Sequence, residues 1–324
     1  MQAPIVSGIV VVTGATGNVG RWVVAGLLAR GVRVRVAARD PEAARQTFGA
    51  EFGATFGAEP EYTRFEFQDE TTFPNTFAGA TALFLVRPPQ LSNVERDIFP
   101  ALDAAAALGI ARVVFLSVQG AERNRVVPHR RIEDHLRANG AAWTFLRPSF
   151  FMQNLSTTHR RDIAEHGEVF VPAGAGRTSF VDTRDVGAVA VKVLTEPGHT
   201  LQAYELTGRE ALSYAQVADL FSEVLRRPVR YADPSLWSFW RRMRGYGYPR
   251  AYVGVMMALY TVCRLGLAAQ VRPELARLLG RAPLSLEQFI SDHADCWQPP
   301  GAGATTTDPT VTDPVAPGLQ SEIL

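Results

Sequence analysis

The sequence predicts an α/β fold, a doubly wound parallel sheet with a smaller mixed C-terminal lobe, on three observations. Short β-branched runs alternate with longer helical patterns through the first 150 residues, which is how βαβ units read. Several of those runs are apolar on both faces, as strands covered by helices on both sides must be. A glycine-rich turn joins the first run to the first helical pattern.

The strand-like runs are Ile9 to Thr13, Arg33 to Ala38, Tyr62 to Phe67, Ala82 to Val86, Arg112 to Ser117 and Trp143 to Leu146. Helical patterns fall between them at Val19 to Arg30, Glu42 to Phe48, Asn93 to Leu108 and His129 to Ala138, with Gly31 and Gly109 as helix stops. From Phe150 the alternation loosens. Phe180 to Asp182, Ala203 to Leu206 and Val229 to Tyr231 read as short strands, and Thr183 to Leu194 and Tyr214 to Leu225 as amphipathic helices. An aromatic- and methionine-rich helical region follows at Trp237 to Gln270, then a last helix at Ser285 to Cys296. Residues 1–150 are thus expected to form a dinucleotide-binding core, and 151–297 a substrate lobe interleaved with it. Residues 298–324, rich in Pro, Thr, Gly and Ala, are expected to form a disordered tail, because they cannot bury enough apolar surface to order themselves.

Composition removes several function classes. The 33 basic and 32 acidic residues of the 324 leave a net charge of +1, which offers no general electrostatic footprint for nucleic acid or an anionic membrane. Cys263 and Cys296 make no CxxC pair, and the N-terminus lacks a signal-peptide pattern, so a reducing, cytoplasmic setting is expected. Ala251 to Gln270 nears membrane-spanning length, but Arg264, Gly254 and Gly266 inside it favour a buried or partner-facing helix. His159, His166, His199 and His293 have no ligand spacing, so no metal is expected.

The motif that carries chemistry is Thr13-Gly14-Ala15-Thr16-Gly17-Asn18-Val19-Gly20. Gly14 allows a tight turn, Gly17 lets the backbone approach a pyrophosphate, and Gly20 lets helix pack on strand. The helix N-terminus offers free N–H groups to phosphates, which is the Rossmann-type arrangement. Cofactor choice falls at the end of the second strand, at Arg39-Asp40-Pro41. Asp40 has roughly the spacing of an NAD-type acidic residue but also precedes a proline at a helix start, an N-cap position. Arg39 then faces the ribose and its 2′-phosphate, unless it is simply a solvated arginine.

These residues, with Leu85-Val86-Arg87-Pro88-Pro89, Phe115-Leu116-Ser117, Pro128-His129 with Glu133, Leu146 to Asn154 and Asp182 to Gly187, resemble the NmrA-like, atypical branch of the short-chain dehydrogenase/reductase superfamily. The resemblance runs over about residues 5–232. It implies an NADP-type cofactor, NAD being less expected, held by Gly14, Thr16, Gly17, Asn18, Val19, Gly20 and Arg39. Val86, Arg87, Ser117, Pro148 and Phe150 would line its nicotinamide half. Members of the branch include quinone and dye reductases and regulators that bind the dinucleotide without turnover.

One departure matters. The superfamily's usual acid is a tyrosine with a lysine four residues on. Here the sole lysine, Lys192, has Ala188 at that position. The corresponding helix carries His129 and Glu133, one turn apart on one face and similar to the pair in quinone-reductase-like members. His129 would donate a proton or a hydrogen bond, with Glu133 orienting its ring. The plainer alternative is a helix-start histidine and a solvated glutamate. The expected function is NADPH-dependent hydride transfer to an electron-poor small molecule such as a quinone, dye or enone, and the rival is a redox-sensing regulator without turnover. A homodimer or protein partner through the C-terminal lobe stays open. So does the role of Trp237, Phe239, Trp240, Tyr246, Tyr248 and Tyr252, as pocket wall, core or dimer surface.

Overall fold

The computed structural model describes residues 8–56 and 58–298. In chain order its first elements are β1 (Ile9–Thr13), α1 (Gly20–Ala29), β2 (Val34–Ala38), α2 (Pro41–Phe56), β3 (Glu61–Arg64) and α3 (Phe73–Phe77). Then come β4 (Ala80–Val86), α4 (Val94–Asp97), α5 (Phe99–Ala107), β5 (Arg112–Leu116), α6 (Pro128–Ala138) and β6 (Ala142–Pro148). The chain continues through β7 (Phe150–Phe151), α7 (Gln153–Ser156), β8 (Glu168–Val169), β9 (Arg177–Val181), α8 (Thr183–Thr195) and β10 (Gln202–Leu206). It closes with β11 (Ala211–Ser213), α9 (Tyr214–Leu225), β12 (Arg230–Tyr231), α10 (Leu236–Gly245), α11 (Arg250–Arg264), α12 (Glu274–Leu279) and α13 (Leu286–Asp292). The described residues sort into two units, one of 8–148 with Thr183–Leu206, the other of Ser149–Asp182 with 207–298.

The first unit is built on a seven-stranded sheet in the order β10-β6-β5-β4-β1-β2-β3, and every pairing in it is parallel. Parallel strands need helical crossovers that cover both faces, so the central strand β1 is buried throughout, with Val10, Val11 and Val12 fully inaccessible, while the edge strands β3 and β10 stay partly exposed. Burial of each such side chain is worth about 1.5–3 kcal/mol. Strand order reverses between β1 and β4, the switch point where a crevice opens at the C-terminal strand ends.

One expectation is corrected here. The Thr183 helix and the Ala203 strand belong with the first unit rather than with the smaller lobe. β10 pairs β6 in register Tyr204 to Leu146 and becomes the seventh strand, while α8 buries Val186, Val189, Ala190 and Val193. Periodicity finds a short strand but cannot say which sheet edge receives it. The Trp237 to Gln270 region is two helices, because Gly247 turns at φ 89° and Pro249 starts the next helix as its N-cap.

The second unit holds a three-stranded sheet, β11-β9-β7, and the two-stranded pair β12-β8. Its core gathers Phe180, Tyr214, Phe221, Phe239, Tyr260 and Trp297. The aromatic set read from the sequence does not form one wall, since Phe239 is fully buried and Trp237 is 70% exposed. Cys263 and Cys296 are free and buried. Among the described residues no helix is long and apolar enough to cross a membrane, and no cluster of His, Cys, Asp and Glu is arranged to hold a metal. The expected tail beyond Gln298 lies outside the described residues.

Candidate active site

The glycine turn sits at the switch point and is locked there from both sides. Thr13 Oγ1 accepts from the Val86 backbone N–H at 2.8 Å and donates to the Phe84 carbonyl at 3.2 Å, tying the ends of β1 and β4 together. Gly14 has φ 59°, and a Cβ on it would lie 2.9 Å from Val86 Cβ. A Cβ on Gly20 would fall 2.0 Å from the Gly14 carbonyl oxygen, so only glycine lets α1 start this close to the turn. Arg21, which sequence reasoning missed, clamps the loop from within α1. Its Nη2 donates to the Thr16 carbonyl at 3.0 Å and its Nε to the Gly17 carbonyl at 3.2 Å.

No side chain caps α1, and Thr16 and Asn18 are half-exposed beside the buried Gly17 and Val19. A helix start of this kind can take the oxygens of a phosphate. At the end of β2, Asp40 accepts from the backbone N–H groups of Glu42 and Ala43, both at 3.0 Å, and is committed to capping α2. Arg39 is exposed and makes no hydrogen bond or ion pair among the described residues.

Beyond β4, β5 and β6 a second group assembles. Arg87 is 8% exposed, with Nη1 on the carbonyls of Pro88, Pro89 and Leu91 at 2.8, 3.1 and 3.1 Å. Burial pulls its pKa down to about 10, and its Nε is buried without a partner. His129, in the first turn of α6, is 5% exposed and stacks on Phe115 with ring centroids 5.8 Å apart. Its Nδ1 is buried without a partner. Burial, and then the Arg87 charge, hold its pKa well below 6.5, so the ring is neutral at pH 7. A neutral imidazole offers an N–H as hydrogen-bond donor and holds no imidazolium proton to give up.

Glu133 is neither the solvated residue nor the ring-orienting partner that the sequence suggested. It is fully buried and accepts from Ser117 Oγ at 2.7 Å, from Arg147 Nε and Nη2 at 2.9 and 2.7 Å, and from Arg137 Nη2 at 3.0 Å. Arg147 also pairs with Glu122 at 3.0 Å. Against burial, which lowers it, the bond and charge of Glu133 raise the Arg147 pKa. The i,i+4 spacing found Glu133, but nothing local announces that its partners come from β5 and β6. Ser117 is therefore held by the carboxylate, and Pro148, buried at the end of β6, accepts from the Gln119 N–H at 3.0 Å. Phe150 belongs to the second unit, where it packs on Phe180 and Tyr260 at 5.7 and 6.0 Å. Lys192, half-exposed on α8, pairs with Glu196 at 3.5 Å.

Fold and site together define a doubly wound dinucleotide-binding protein of the short-chain dehydrogenase/reductase type without the tyrosine–lysine pair. Residues 7–287 match the NmrA-like family, and the chain belongs to that family. It is 32% identical over 289 residues to an NAD(P)H azoreductase of Xenophilus azovorans, covering 88% of this chain and 98% of the relative. Two solved structures share the fold. One is the Citrobacter sp. triphenylmethane reductase complexed with NADP(H), with TM-score 0.75, 24% identity and coverage of 87% of this chain and 99% of the other. The other is the NADPH-dependent quinone oxidoreductase of Escherichia coli complexed with NADPH, with TM-score 0.77, 22% identity and coverage of 87% and 99%.

Proposed function

We propose that this protein is an NADPH-dependent oxidoreductase that delivers hydride to an electron-poor small molecule of the quinone, dye or enone class. The observation that carries the reading is the pairing of a tight glycine turn, where Cβ atoms on Gly14 and Gly20 would strike Val86 and the Gly14 carbonyl, with a neutral buried imidazole in place of a tyrosine–lysine acid. The residues fit the cofactor: Gly14, Thr16, Gly17, Asn18, Val19 and Gly20 would hold the pyrophosphate, and Arg39 the 2′-phosphate. Val86, Arg87, Ser117 and Pro148, all of the first unit, would border the nicotinamide half. When bound, NADPH would supply the hydride.

The chain's own residues then position rather than protonate. Arg87 and His129 present a fixed cation and a neutral N–H donor, able to hold an acceptor oxygen or nitrogen as charge develops on it. Glu133 and Arg147 fix Ser117 and the end of β6, so the walls do not shift as the acceptor enters. Acceptors already inclined to take hydride need this orientation more than a strong acid. The azo, triphenylmethane-dye and quinone reductases among the similar proteins support that choice. Quinones, azo and triphenylmethane dyes and enones are the panel to assay by loss of reduced-nicotinamide absorbance. Turnover with at least one class is expected. Tight NADPH binding with no turnover across the panel would remove the reductase reading in favour of a redox-sensing regulator.

A further inference from the structure

α11 is apolar on two sides. Val253, Met256, Tyr260 and Cys263 are buried in the second unit's core, which accounts for one. The other side presents Ala251, Gly254, Val255, Ala258, Val262 and Leu265, all exposed, at the three- and four-residue spacing of one helical stripe. No charged residue lies between Arg250 and Arg264, over about 22 Å of helix. A solvated helix face ordinarily carries charge, so this one is composed to be covered.

The apolar surface continues past the helix. Arg264 pairs with Asp233 at 3.6 Å, which brings the start of α10 beside the end of α11. There Trp237 is 70% exposed, next to a segment in which Leu265 and Leu267 are 69% and 70% exposed. Around this surface positive charge is in excess: residues 236–281 hold eight arginines and a single carboxylate, Glu274, in a chain of net charge +1, while acidic partners from outside the segment meet Arg242 and Arg264. Pairing the face with a second copy of itself would bring two arginine-rich segments together, at an electrostatic cost. An anionic partner fits the charge, and exposed Trp and Leu among arginines is the composition of a helix that lies in a lipid headgroup layer.

We propose that the α10–α11 hairpin is a peripheral docking surface for an anionic lipid bilayer, with Val255, Val262, Leu265 and Trp237 entering the headgroup boundary and the arginines meeting lipid phosphates. The surface belongs to the second unit and the glycine turn to the first, and none of its residues is assigned to the cofactor, so its failure would leave the hydride chemistry untouched. The test is co-sedimentation of the full chain with phosphatidylcholine vesicles, with and without phosphatidylglycerol. Binding about tenfold or more stronger to the anionic vesicles, weakened by salt, is expected. Val255→Glu with Leu265→Glu should lower it about tenfold or more, and so should Arg241→Gln with Arg250→Gln, at unchanged Tm because all four side chains are exposed. Three results would overturn the proposal. One is absence of binding, or binding that the four substitutions leave alone. Another is a dimer on gel filtration that Leu265→Glu splits, which would give the face to a second copy. The third is binding that emerges only when residues after 298 are deleted, which would give it to the chain's own C-terminal segment.

Discussion

The Glu133 carboxylate and the Arg147 guanidinium form a two-pronged pair, at 2.9 and 2.7 Å, inside the parallel-sheet unit. Both residues are buried, 0% and 7% exposed. An ion pair there persists because the acid also accepts from Ser117 and Arg137, and because the Glu122 carboxylate lies 3.0 Å from the base. The pair links α6 to β6, and through Ser117 it fixes the residue that follows β5.

Breaking it from one side should therefore cost more than removing it. Arg147→Met leaves the Glu133 charge underpaired in a dry site and should destabilise the protein by about 3–5 kcal/mol. Glu133→Leu with Arg147→Met should recover much of that loss. Urea unfolding of the two single variants and the double variant gives the coupling energy directly. A coupling below about 0.5 kcal/mol would mean the pair behaves like a surface ion pair despite its burial.

Acid stability follows from two buried histidines. Burial holds the His159 pKa down to about 4 and that of His129 well below 6.5. Above pH 6.5 both are neutral in the folded and unfolded chain, and they contribute no pH dependence. Below it the unfolded chain binds the protons and the folded chain does not, so stability falls as pH drops from about 6.5 toward 4, by up to about 1.4 kcal/mol per pH unit for each histidine. Asp162 acts in the opposite sense, because burial raises its pKa and the folded state takes its proton first. His159→Gln should flatten the fall between pH 6 and 4.5 by about one histidine's share. An unchanged slope in denaturant unfolding at stepped pH would contradict the buried, neutral assignment.

Where a feature is written in consecutive residues, the sequence was enough. The Gly14 to Gly20 turn, the six leading strands and the capping role of Asp40 all follow from local chemistry, and the structure carries each at its expected place. Features made by distant segments were not readable. The same i,i+4 spacing on α6 serves a residue facing another side chain of that helix or one facing β6, so Glu133 was found while its pairing with Arg147 was not. A short strand such as Gln202–Leu206 carries no mark of which sheet edge it joins. Arg21 reads as an ordinary helix arginine until its contacts with Thr16 and Gly17 are seen.

Cofactor preference should rest on Arg39. Its neighbour Asp40 turns Oδ1 to two N–H groups at the start of α2, whereas Arg39 is exposed and unpaired among the described residues. A charge-assisted contact to a 2′-phosphate is worth about 1.5–3 kcal/mol, or roughly ten- to a hundredfold in affinity. NADPH is expected to bind more tightly than NADH by that factor, and Arg39→Ala should bring the two within about threefold. Calorimetric titration of both nucleotides decides it. Equal affinities in the unsubstituted protein would remove the arginine from cofactor choice.

The last prediction separates hydrogen bonding from proton donation at His129. With Nδ1 buried and the Arg87 charge nearby, the ring stays neutral through the physiological range. Its contribution to hydride transfer would come from an N–H aimed at charge developing on the acceptor, and removal of one such donor typically costs about a hundredfold or more in rate. His129→Phe keeps the stack on Phe115 and removes only the donor. It should lower kcat by about that factor for an enone, less for a quinone that needs little help, and leave NADPH affinity unchanged. The unsubstituted enzyme's kcat should be flat between about pH 6 and 8. A kcat that falls with rising pH through about 6.5 would instead require an imidazolium, and with it a site wet enough to undo the burial of His129.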